Sequence, residues 1–317
     1  MVDEVERRTL SESAARQLAN ATKTRAQWGG ITPRWLVNFL TWTPVEAGIF
    51  RRNEVREAGE GRPADVECSP PRDANPDLPE TYVDYVDTPR EYFLKAVTTV
   101  LDVQTRVSDL YSQPFDQVQE QLRLLIEKVK ERQESELINN AEYGLLASAA
   151  PSQRIRTRKG PPTPDDLDEL LTKVWKEPGF FLAHPRAIAA FGRECTRRGV
   201  PPPTVTLFGA PFLTWRGVPL VPSDKVKIDG SNGSETTSIL LIRTGEKKQG
   251  VVGLFQPGVP GEVAPSLSVR FMGINRKAIA SYLISLYCSL AVLTDDALAV
   301  LEGVEIGRYP EYAHDYA

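Results

Sequence analysis

Residues 97–140 read as a long strand that feeds directly into a longer helix. Val97, Thr99, Leu101, Val103, Thr105 and Val107 alternate over eleven residues. Period two with β-branched side chains is the pattern of an extended strand. From 115 to 140 the text is FDQVQEQLRLLIEKVKERQESELINN, with Val118, Leu122, Leu125 and Val129 in a one-sided stripe. Gln, Glu, Lys and Arg fill the other positions, so the spacing predicts an amphipathic helix long enough to act as a spine across a sheet.

The flanking segments predict shorter elements. Residues 1–26 are polar and mixed in charge, an extended arm with one short helix near Ser11–Leu18. Trp28-Gly29-Gly30 breaks the chain. Trp35, Leu36, Phe39 and Leu40 then share one face of a helix started at Pro33. An apolar patch beside a polar arm needs cover, here expected from another subunit. Val45, Ala47 and Ile49 alternate, a turn follows over 57–63, Val66-Glu67-Cys68 returns, and 69–79 is Pro-rich. That outline is a long hairpin with a loose middle.

Downstream, Thr163 with Pro164, Asp165 and Asp166 is a helix start. Leu167, Leu170, Leu171, Val174 and Trp175 form its apolar face. A further helix begins at Pro185, with Ile188, Phe191, Gly192 and Cys195 on one face, Arg197 and Arg198 in its last turn and Gly199 as terminator. Short strands are expected at 204–208, 218–221, 238–243, 250–255 and 268–272, and a buried one at 282–293. Asp229–Ser234 reads as a hairpin tip. Thr294-Asp295-Asp296 reads as the cap of a last short helix, 297–302.

Composition narrows the function. The 317 residues carry 38 basic and 42 acidic side chains, a net charge of −4, which disfavours a dedicated nucleic-acid binder. Three cysteines and two histidines leave no disulfide framework and no zinc site, and suit a reducing compartment. The longest apolar run, YLISLYCSLAVL, has twelve residues, where a bilayer needs about 20. The N-terminus has no apolar stretch of a signal peptide.

No local motif announces catalysis. G-x-G-x-x-G, G-x-S-x-G and H-E-x-x-H are absent. Cys195 and His184 could form a nucleophile pair, but the thiol lies on an apolar helix face. On one helix the two would also sit about 16 Å apart. Cys288 reads as core, and Cys68 has no neighbouring base. The acidic cluster Asp165, Asp166, Asp168 and Glu169 is explained by its helix start rather than by a metal. Arg154, Arg156, Arg158 and Lys159 read as a solvated loop more than a phosphate patch. Trp175 and Trp215 read as packing more than base stacking.

The order of elements resembles the Hong Kong 97-type phage capsid fold. The resembling text is TTVLDVQTRVSDLYSQPFDQVQEQLRLLIEKVKERQESELINN (98–140), LAHPRAIAAFGRECTRRGVPPP (182–203) and WRGVPLVPSDKV (215–226). Within that fold, the chain is similar to family 2A encapsulin shell proteins. ARQLANATKT (15–24), ITPRWLVNFL (31–40), TPVEAGIF (43–50), ERQESELINN (131–140), 162–205 and 268–302 carry this likeness. The absence of a cyclic-nucleotide-binding domain favours the 2A over the 2B subgroup.

The resemblance implies an α+β architecture: an N-terminal arm (1–42), an E-loop hairpin region (43–96), a peripheral domain with the spine helix (97–145 and 265–317) and an axial domain (146–264). It implies a cytoplasmic bacterial nanocompartment of many copies, most simply sixty, with no active site and no cofactor of its own. The implied cargo is a cysteine desulfurase of sulfur metabolism, held through its disordered N-terminal segment; pyridoxal phosphate would belong to that enzyme. No nucleic acid and no membrane span are expected. Arg197, Arg198, Gly199, Val200 and Pro201 align with the loop lining the five-fold pore, where the arginines would favour anionic or polar solutes. Trp35, Leu36, Phe39, Ile49 and Phe50 are expected to contact neighbouring subunits. Two other readings stay open: a phage-type major capsid protein packaging DNA, and a cytosolic thiol-dependent enzyme.

Overall fold

A computed structural model describes residues 11–13, 25–55, 83, 85–104, 117–230, 233–277 and 279–309. The expected turn over 57–63, Val66–Cys68, the Pro-rich 69–79, Thr105, Val107, most of the helix near Ser11–Leu18 and the C-terminal tail lie outside the described residues.

The chain begins with α1 (Trp35–Phe39), β1 (Thr41–Pro44), the hairpin strands β2 (Ile49–Arg52) and β3 (Arg90–Phe93), and β4 (Lys95–Val103). The spine helix α2 (Gln117–Asn139) and the short α3 (Leu145–Ser148) follow. Next come β5 (Arg154–Arg156), α4 (Pro164–Lys173), β6 (Phe180–Ala183) and α5 (Pro185–Arg197). The rest is extended: β7 (Thr204–Leu207), β8 (Ala210–Trp215), β9 (Val218–Pro222), β10 (Thr236–Ile242), β11 (Val251–Phe255), β12 (Glu262–Ala264), β13 (Leu267–Ile274), β14 (Ala280–Val292) and β15 (Leu298–Glu305). The α+β class and the strand-to-spine order are as the sequence predicts.

Two sheets organise these elements. One has seven strands in the order β5-β15-β10-β6-β9-β8-β7. Its central strands are buried on both faces, which is why they read as unbroken apolar runs. Phe181, Ala183, Ile239 and Leu241 point to one side, against Leu167 and Leu170 of α4, Val174 just past its end, and Ala187, Phe191 and Cys195 of α5. Phe180, Leu182, Leu240 and Ile242 point to the other, against Leu36 of α1, Leu137 and Ile138 of α2 and Leu145 of α3. The second sheet has six strands, β1-β11-β14-β13-β12 with β4 also on β14. The spine helix, about 35 Å long, lays Leu122, Leu125, Ile126 and Val129 over this sheet against Ile284, Leu286 and Leu267. Its C-terminal end enters the core of the first sheet. Val251–Phe255 and Glu262–Ala264 fall within the expected axial segment, yet both pair in the six-stranded sheet.

Three local expectations are corrected. Residues 297–302 are not helical: Asp295–Ala297 is one 3-10 turn, and Leu298–Glu305 is a strand between β10 and β5. The T-D-D start imitates a helix cap, but Leu298, Ala299, Val300 and Leu301 are all buried, the signature of a strand covered on both faces. The alternation Val45-Ala47-Ile49 is interrupted by a turn, because Ala47 and Gly48 have φ of 55° and 73°. Trp175 lies beyond the end of α4 and is exposed, not part of its apolar face.

Candidate functional site

The arm that leads into α1 is strapped along the spine helix. Arg123 Nη2 donates to the Ala26 carbonyl at 2.6 Å. Trp28 Nε1 donates to the Leu124 carbonyl at 2.7 Å, and Lys128 Nζ lies 4.8 Å from its ring centroid. Thr32 donates from N and Oγ1 to Glu131. Arg34 Nη1 reaches Glu127 at 2.7 Å, and the Leu36 N–H donates to Glu134 at 3.1 Å. Glu127, Glu131 and Glu134 stand at i, i+4 and i+7, so one helix face receives the strap. Burial opposes ionisation of Glu127 and Glu131. Hydrogen bonds from Arg34 and Lys130, and from Lys225 and Thr32, outweigh it and hold both carboxyls below the usual range. Glu134 is 1% exposed; burial wins over the Leu36 N–H and pushes its carboxyl up to about 7.

This strap changes the reading of the apolar arm residues. Leu36 is fully buried within its own chain. Trp35 packs edge-on against Phe212, with centroids 5.1 Å apart, and Phe39 contacts Phe180 and Phe208. Within the chain, β6 and the β7–β8 hairpin bury Leu36 and cover Trp35 and Phe39 in part. Ile49 and Phe50 open the projecting hairpin, opposite Phe93 and Tyr92. Phe50, Tyr92 and Leu94 pack on Val45, Val252, Leu254, Ala291 and Leu293 at its base. Tyr92 Oη also donates to the Val292 carbonyl at 2.6 Å. Phe208, against Trp35 and Phe39, is itself exposed, and further uncovered apolar residues lie on other elements. Val55, Val83, Tyr85 and Phe93 are exposed on the hairpin, and Phe271, Met272 and Ile274 on β13. Helical and strand spacing gave no signal for these, since an exposed apolar residue looks like a core one in sequence.

The loop after α5 is a tightly made helix end. Gly199 adopts φ 68°, its N–H donates to the Thr196 carbonyl, and Val200 N–H donates to Cys195, a Schellman arrangement. Pro201 follows, exposed. Arg197 is held by Glu194 at 2.6 Å and Arg198 by Asp165 at 2.8 Å. Both arginines bring a carboxylate with them, so the loop carries less positive charge than its sequence suggests.

The residues considered for chemistry are occupied with structure. Cys195 is buried and its thiol is pushed up to about 11 by burial; Cys288 is buried and pushed up to about 12. His184 caps α5, its Nδ1 accepting from the Arg186 N–H. Burial, reinforced by Arg186, lowers its pKa. Asp166 forms a capping box with Thr163, and Asp168 accepts from Trp215 Nε1 and Arg216. Glu169 pairs with Arg158. Trp215 is buried, edge-on against Phe191. Arg154 and Arg156 stand on strand β5, with Arg154 paired to Glu302 at 2.7 Å, while Arg158 and Lys159 lie in the loop that follows. Among the described residues no cluster of His, Cys, Asp and Glu fits a metal ion, and no helix is long and apolar enough to cross a membrane.

With this geometry, comparison with known proteins is informative. Residues 51–308 match the family model described as type 2A encapsulin shell protein SrpI-like. The chain is 66% identical to the type 2A encapsulin shell protein SrpI of Synechococcus elongatus, over 99% of this chain and 100% of the relative. It is 60% identical to a type 2A encapsulin shell protein of Mycolicibacterium paratuberculosis, over 97% and 98%. Among solved structures, a chain of the holo-SrpI encapsulin complex from Synechococcus elongatus superposes with a TM-score of 0.83 at 64% identity, covering 96% of this chain and 100% of that one. The capsid protein of a native GTA particle shares the fold at 13% identity, with a TM-score of 0.57 over 89% and 94%. The relatives are named as shell proteins, not enzymes, and the fold is that of Hong Kong 97-type capsids. The chain belongs to the family of SrpI-like type 2A encapsulin shell proteins.

Proposed function

We propose that this chain assembles into a closed icosahedral shell, most simply of sixty copies, that encloses a cysteine desulfurase serving sulfur metabolism in the cytoplasm. The observation that carries the shell reading is the near-complete likeness to a chain of a holo encapsulin complex. The exposed apolar side chains of the hairpin and β13 support it, because contacts between copies would bury large apolar residues that this chain leaves uncovered. Each subunit of a closed shell meets several others and can cover them. The cargo reading rests on family resemblance, which is an associational ground.

In this reading Arg197–Pro201 lines the five-fold opening. Since Glu194 and Asp165 partner its arginines, the preference for anions is weaker than bare guanidiniums would give. A shell map that puts Arg197 and Arg198 more than about 15 Å from the five-fold axis, beyond the roughly 10 Å screening length, removes the loop from that role.

Co-expression tests the cargo. A cysteine desulfurase bearing its N-terminal segment should co-elute with the particles and bring pyridoxal phosphate absorbance; the same enzyme without the segment should not. Particles that instead carry nuclease-protected DNA would favour the phage-type reading.

A further inference from the structure

A cleft of about 440 Å³ opens beside the C-terminal half of α5. Lys159, Arg197, Arg308 and Tyr309 line it together with the buried Thr163 and Glu194. The walls are tied together. Glu305 N–H donates to the Gly160 carbonyl at 2.8 Å, which fixes the loop before α4 to the end of β15. Arg193 Nη2 donates to the Ile306 carbonyl at 3.0 Å and its guanidinium lies 4.3 Å from the Tyr309 ring centroid.

The charges in this cleft do not cancel. Arg197 is consumed by Glu194, through Nε and Nη2 onto the same Oε2. Lys159 and Arg308 form no ion pair among the described residues, so the described lining residues carry two more positive than negative charges, with the Glu305 carboxylate against Gly160 and Asp165 within electrostatic reach of Lys159 beside them. Glu194 Oε1 accepts no hydrogen bond among the described residues while its side chain is 7% exposed. Two cations at the rim and one free acceptor on a buried carboxylate suit an anion that still carries a proton.

We propose that this cleft binds a small tetrahedral oxyanion of the phosphate class, either inorganic phosphate or the end of a phosphomonoester. Lys159 and Arg308 take the charged oxygens, and the protonated oxygen donates to Glu194 Oε1. Tyr309, backed by Arg193, closes one side.

The test uses assembled particles of the full chain at low salt. Inorganic phosphate is titrated by calorimetry against chloride of matched ionic strength. The expected result is one saturable site per chain, weakened about tenfold or more by Lys159→Ala with Arg308→Ala. Absence of saturable binding to the wild-type particle, or equal binding to the double variant, overturns the site. Should the double variant not assemble, acetylation of Lys159 in the wild-type particle decides. Phosphate should slow it several-fold while leaving the exposed Lys247 unaffected, and an unchanged rate at Lys159 overturns the site.

Discussion

Glu134 shows what a helix pattern hides. Its position among Glu, Lys and Arg on the spine reads as part of a solvated face, yet Glu131, Gln133 and Glu134 are all buried. Periodicity within one helix sees only that helix, and the strap that covers these residues comes from about a hundred positions earlier. Glu134 also sets a pH dependence. Its folded-state pKa lies above the ordinary value of 4.5, at about 7, so its contribution is fully present below about 4.5 and is lost as pH rises through 7. Lys225 draws it toward ionisation, while Glu131 and Asp224 oppose that. Glu127 and Glu131 have the opposite sign: their pKa values are lowered, and their contribution is lost as pH falls. Glu134→Gln keeps an acceptor for the Leu36 N–H. It should raise the thermal midpoint at pH 8, by an amount corresponding to about 2–3 kcal/mol, and change little at pH 5. A lower midpoint at pH 8 than wild type would refute the assignment. Leu36→Ala, which keeps the backbone N–H of that contact but removes a fully buried side chain, should cost about 2–5 kcal/mol in denaturant unfolding.

At the scale of elements, the chain crosses between its two sheets twice late in its course. It passes from β10 to β11 and returns from β14 to β15. Arg243, 1% exposed, sits at the first crossing and Asp296 at the second, with Nη2 and Oδ1 2.7 Å apart. Thr294 Oγ1 and Lys176 complete the clasp. Burial resists ionisation of Asp296, but hydrogen bonds from Arg243, Lys176 and Thr294 hold its carboxyl well below the usual range. Asp296→Asn leaves a buried guanidinium uncompensated and should lower stability by about 3–5 kcal/mol at pH 7. The gap from wild type should close as pH falls below the ordinary carboxylate range, read from midpoints across a pH series. The cap-like text at 294–296 belongs to this clasp, and reading it as a helix start led the sequence astray. Where the cap is purely local the text is reliable: Thr163 and Asp166 form the capping box they spell. The alternating strand β4 was equally legible, whereas the apolar run of β14 carried no period and only its composition favoured a buried strand. Phe180–Ala183 was not legible, because four residues buried on both faces carry no period.

Over the whole molecule, the spine helix and the two sheets bury a core within one chain, while the hairpin and β13 leave large apolar side chains uncovered. Leu36 is covered within its own chain and Trp35 and Phe39 are half-buried, whereas Tyr85 and Phe93 are exposed. Family likeness carried the fold, because no residue pattern by itself distinguishes a shell subunit from another two-sheet protein. Tyr85→Asp with Phe93→Asp should leave the far-ultraviolet circular dichroism of the chain unchanged and sharply reduce particle yield. Unchanged yield would remove the hairpin from the contacts between copies. The central claim, that this chain alone builds a closed shell, is tested most directly by electron microscopy of the recombinant protein after gel filtration, with no cargo present. Uniform hollow particles tens of nanometres across are predicted; a monodisperse 35.2 kDa monomer or small oligomer would contradict it.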